Sequence, residues 1–120
     1  MSWGFRPTTL THPRSGRILA DRLEVPRTFI GRGLGLMFRR RLDPGRGMLI
    51  DPCNGIHMFF MNFPIDAVFL DKKHRVRRIY PRLGRWRVVL LVLGARCVVE
   101  LPAGTLEGLN LEVGEPLQFD

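Results

Sequence analysis

At 120 residues, with 45% hydrophobic and 25% charged side chains, the chain is long enough to bury one core, too short for two, and too apolar for a disordered polymer. The formal net charge of +8 divides into about +7 for residues 1–50, about +5 for 51–100 and about −4 for 101–120, and 17 of the 19 cations are arginines. No apolar run approaches the roughly 20 residues needed to cross a bilayer as a helix, and the N-terminal residues lack the apolar stretch of a secretory signal.

A cytoplasmic location is therefore expected. Two cysteines, Cys53 and Cys97, are too few for a disulfide framework and are expected to be reduced.

In chain order, residues 1–16 mix Thr, Pro, Arg and Gly without a period and read as a flexible tail, leaving 17–120 as a single β-rich domain. Arg17 to Val25 alternates as a first strand and stops at Pro26. Phe29, Ile30, Leu34 and Met37 fall at near-helical spacing, weakened by Gly31, Gly33 and Gly35, so a short broken helix is expected there. Asp43-Pro44-Gly45 is a turn, and Gly47 to Ile50 a short strand ended by Asp51-Pro52. Ile56 to Asn62 and Ile65 to Leu70 are strand-like on either side of the Phe63-Pro64 bend. Arg75 to Tyr80 alternates with arginines outward, and Pro81 to Trp86 reads as a loop. Val88 to Leu93 and Arg96 to Leu101 are apolar, β-branched and expected to be central strands. Thr105 caps a short turn, and Val113 to Phe119 holds a turn and a closing strand. The pattern predicts a mainly β domain, a small barrel or sandwich of about six to eight short strands with one or two short helices.

Four strings in this order carry a family resemblance: Gly35-Leu36-Met37-Phe38-Arg39, Gly47-Met48-Leu49-Ile50, Phe60-Met61 with Pro64-Ile65-Asp66-Ala67-Val68-Phe69-Leu70-Asp71, and Val99-Glu100-Leu101-Pro102-Ala103-Gly104. Over about residues 17 to 119 the chain resembles the mostly bacterial family called domain of unknown function 192. The resemblance implies a small, mainly β domain and brings no activity with it. Family members carry a tryptophan and a basic residue around Phe60 and Asn62, where this chain departs.

The stretch from Cys53 to Asp66 is the most chemically loaded. Cys53, His57 and Met61 recur every four residues and are ligand types for a soft ion such as Cu(I). The same residues also read as a small buried thiol, a hydrogen-bonded histidine and a core filler. Asp66 lies inside an apolar run, where an ionised carboxylate needs donors. Those donors are expected either from backbone amides near the Asn62 to Pro64 bend or from His57, which would make an acid and base pair. Glu100 is a second acid in an apolar strand, and an ion pair with Arg39, the nearest cation in the family strings, is an equally good use of the two groups. No nucleophile elbow, phosphate loop or complete metal signature is present, and no cofactor is required.

Three functions remain open. The first is a non-enzymatic binding or accessory domain with a polar pocket near His57, Asn62 and Asp66, extended to Arg39 and Glu100, for a small ligand or protein partner. The second is nucleic-acid or anionic-surface binding through Arg75, Arg77, Arg78, Arg82, Arg85 and Arg87, with Tyr80 and Trp86 for stacking. The third is a hydrolytic or metal-assisted enzyme using His57 and Asp66.

Overall fold

A computed structural model describes residues 5–26, 36, 39–59 and 61–120. Apart from Leu36, the expected helix over 29–37 and its glycines lie outside the described residues. Ten strands run in chain order: β1 (Leu10–His12), β2 (Arg17–Ala20), β3 (Arg22–Glu24), β4 (Arg46–Ile50), β5 (Ile56–His57), β6 (Ile65–Leu70), β7 (Val76–Leu83), β8 (Val88–Val89), β9 (Cys97–Pro102) and β10 (Gln118–Phe119). The fold is mainly β, and the described residues contain no helix.

β6 is buried at every position, and β9 at every position but its last. Successive side chains point to opposite faces of a strand, so these two need apolar cover on both sides. They sit inside a five-stranded sheet of order β3-β4-β9-β6-β7. On one face Val68 and Leu70 pack with Leu10, Leu19 and Phe119 of a three-stranded sheet, β10-β1-β2, and with Leu106 and Leu109. On the other, Ile65, Ala67 and Phe69 pack with Leu42, Met58, Met61 and Val92. Each fully buried Leu, Ile, Val or Phe contributes about 1.5 to 3 kcal/mol, so β6 and β9 tie the two cores together.

Four expectations change. The edge strands β3 and β7 do not pair, so the large sheet stays open, covered on both faces, and of the expected barrel or sandwich the closed barrel is not formed. The segment read as a flexible tail supplies β1, which pairs with β10 at the opposite end of the sequence, and Asp120 O accepts from the Thr8 and Thr9 amides at 2.9 and 3.1 Å. β7 continues through Pro81 to Leu83, because an edge strand can spare a donor on its open side.

The fourth change matters most. Val88 to Leu93 is not a central strand: Val88 and Val89 pair with His57 and Ile56 in an isolated two-stranded sheet, Val92 turns into the core, and Leu90, Leu91 and Leu93 face solvent. No helix among the described residues is long and apolar enough to cross a membrane.

Candidate binding surface

Asp66 is buried, 1% exposed, as expected, but its donors come from elsewhere. Oδ1 accepts from the Arg82 amide at 2.9 Å, and Oδ2 accepts from the Gly104 and Leu106 amides at 3.1 and 2.9 Å. Arg82 is free to donate because it lies just past Pro81, where β7 leaves regular pairing with β6. The carboxylate therefore pins the end of β7 and the loop after β9 onto β6, and neither the Asn62 to Pro64 bend nor His57 takes part. Three amides occupy both oxygens, which leaves little capacity for acid and base work. A cleft of about 300 Å³ beside Asp66 is lined by Arg82, Gly104, Glu107 and Asn110, and by neither His57 nor Asn62.

Arg39 does not pair with Glu100. Its guanidinium forks onto Glu24, with Nη1 to Oε1 at 2.9 Å and Nη2 to Oε2 at 2.8 Å. This hydrogen bonding holds the Glu24 carboxyl below its ordinary range. The register explains the choice. Glu24 lies opposite Met48, and Met48 opposite Glu100, so Glu24 occupies the accessible edge strand and Glu100 the middle of the sheet. Asn62 Nδ2 donates to Arg39 O at 2.7 Å, which joins two of the predicted site residues away from Asp66. Glu100 is buried with no ion pair or hydrogen bond to its side chain among the described residues, and burial pushes its carboxyl up to about 7.

Cys53, His57 and Met61 have different surroundings. The Cys53 thiol donates to Gly55 O at 3.0 Å and is pushed up by burial. Met61 is buried in the second core. His57 is exposed, and its Nδ1 accepts from the Phe59 amide at 3.2 Å. Among the described residues no cluster of three or more His, Cys, Asp or Glu is placed to hold a metal ion.

The six arginines of the Arg75 to Arg87 segment do not line one continuous face. Arg82 pairs with Glu107 at 3.1 Å beside the Asp66 cleft. Arg75 precedes β7 at the Asp71 turn, bridging to Pro116, with its amide donating to Asp71 Oδ1 at 3.0 Å. Arg85 Nε donates to Met61 O at 2.9 Å. Arg77 and Arg87 lie at the apolar loop. Arg77 donates to Leu93 O through Nε and Nη2 at 3.3 and 3.1 Å. Arg78 lies opposite Phe69 and Tyr80 opposite Ala67, positions on one face of the sheet. Tyr80, Arg87, Val88, Leu90 and Leu91 then line an open groove of about 450 Å³. Arg78 and Arg87 are exposed and form no ion pair among the described residues.

Beside the groove, the rings of His57 and Phe59 have centroids 5.2 Å apart, and those of Phe59 and Trp86 5.7 Å apart. Trp86 is 58% exposed and holds φ at 65°, a left-handed backbone that costs a non-glycine residue about 1 to 2 kcal/mol. Leu90 is 85% exposed and Leu93 74%. Phe59, Leu90, Leu91 and Leu93 are the surface residues that sequence reasoning missed. The available signal was charge: between Lys72 and Val99 the chain carries nine cations and no carboxylate.

The chain is similar to a UPF0127 protein of Thermococcus gammatolerans, 33% identical over 109 residues, covering 88% of this chain and 71% of that protein. Among solved structures it is similar to a protein of unknown function from Novosphingobium aromaticivorans, with a TM-score of 0.77 at 25% identity, covering 93% of this chain and 83% of that one. It is also similar to a Sinorhizobium meliloti protein named as a candidate transcription regulator, with a TM-score of 0.74 at 28% identity, covering 92% and 90%. The sequence profile of DUF192, described as "Uncharacterized ACR", matches residues 10–119, and the chain belongs to that family.

Proposed function

We propose that this chain is a non-enzymatic binding domain that engages an anionic partner through β5, β8, the loop to β9 and the arginines beside them. The observation that carries this reading is the exposed apolar loop lying next to Arg77 and Arg87, with Arg78 on the sheet face of Tyr80, within a segment that has no acidic residue. Monomeric proteins rarely leave a large apolar patch open unless something binds it, and arginine forks suit phosphate and carboxylate groups. The reading needs no cofactor. Two free cysteines support a reducing, cytoplasmic setting.

A small-ligand site at Asp66 receives less support, because backbone amides already occupy its carboxylate. The test is retention on immobilised heparin against a salt gradient. The wild type is retained, and the Arg78→Gln/Arg87→Gln variant elutes at clearly lower salt, because fewer counterions are released. Equal elution of the two proteins overturns the reading.

A further inference from the structure

We infer that the partner is an anionic lipid surface, onto which the loop of Leu90, Leu91 and Leu93 inserts; this rests on the binding surface proposed above. Charge and apolar exposure together choose this occupant. A polyphosphate strand would use Arg78, Arg87 and the exposed Phe59 and Trp86 rings, but would leave the three leucines in water. A second copy of this chain would cover the leucines, yet would bring the same uncompensated arginines face to face. A bilayer with anionic headgroups satisfies every part. The leucines reach the acyl boundary, Trp86 sits at headgroup depth as interfacial aromatics do, and Arg78 and Arg87 meet phosphate and carboxylate groups.

The loop is also built to hold this shape. Arg77 clamps Leu93 O, and Val92 anchors in the core between the exposed Leu91 and Leu93, so the three leucines are displayed with little freedom to fold back.

The experiment is co-sedimentation of the full chain with phosphatidylcholine vesicles, with and without phosphatidylserine, beside binding to a single-stranded oligonucleotide. The chain should bind the phosphatidylserine vesicles and leave the neutral ones largely unbound. Replacing Leu90 and Leu91 by Ser should weaken vesicle binding roughly tenfold or more, far more than it lowers retention on heparin, with the melting temperature unchanged. Each of Arg78→Gln and Arg87→Gln should weaken it about fivefold. Vesicle binding that ignores the leucine substitutions overturns the inference. So does oligonucleotide binding without vesicle binding, or a dimer that the leucine substitutions abolish. If heparin retention persists while vesicles are not bound, the lipid assignment fails and the anionic-partner reading stands. If both are absent, both fail.

Discussion

The Leu106 amide donates to Asp66 Oδ2 at 2.9 Å, joining the loop after β9 to the middle of the large sheet across 40 residues of chain. Replacing Asp66 by Asn sets an NH2 group against at least one of the Arg82, Gly104 and Leu106 donors, whichever way the amide turns. A lost charge-assisted bond and a facing pair of donors should cost about 2 to 4 kcal/mol. Chemical denaturation measures this. The same variant should keep its heparin retention under folded conditions, because Asp66 lies outside the proposed surface.

Glu100 should give the chain a characteristic pH dependence. Its carboxyl is raised to about 7 in the fold and titrates near its ordinary 4.5 when unfolded. Between those values the unfolded chain has released the proton that the folded chain retains, so stability falls as pH rises through that window and levels off above it. Between about pH 4 and about pH 8, Glu100→Gln should gain about 3 kcal/mol relative to wild type. Thermal melts at the two ends test this. A variant with the unchanged wild-type slope contradicts the burial of an ionisable Glu100.

Gly55 holds the apolar loop in place by close approach. A Cβ there would lie 2.5 Å from Leu90 O and 2.7 Å from Val89 O, both backbone atoms. Gly55→Ala must push β5 and β8 apart, at a cost of about 1 to 3 kcal/mol. The measured signs would be a lower melting temperature and faster amide exchange around residues 54–58 and 87–92.

The large sheet was legible because β6 and β9 are apolar runs interrupted only by Asp66 and Glu100, and burial on both faces follows from that pattern. The burial of Asp66 was legible on the same ground. Its partners were not, since Arg82, Gly104 and Leu106 lie 16, 38 and 40 residues away, while the sequence offered a local bend. Arg39 found Glu24 through the parallel pairing of β3 and β4, which no local pattern reports. Val88 to Leu93 was misread for a different reason. Apolar composition records that a segment favours leaving water, but not whether its own fold or a partner supplies the cover.

Amide hydrogen exchange of the full chain, with and without heparin, tests the binding surface most directly. Exchange should slow in residues 57–59 and 85–93 on binding, with the 102–110 loop around the Asp66 cleft unchanged. Protection confined to that loop, or exchange in 85–93 that stays unaltered while heparin is bound, would contradict the proposed binding surface.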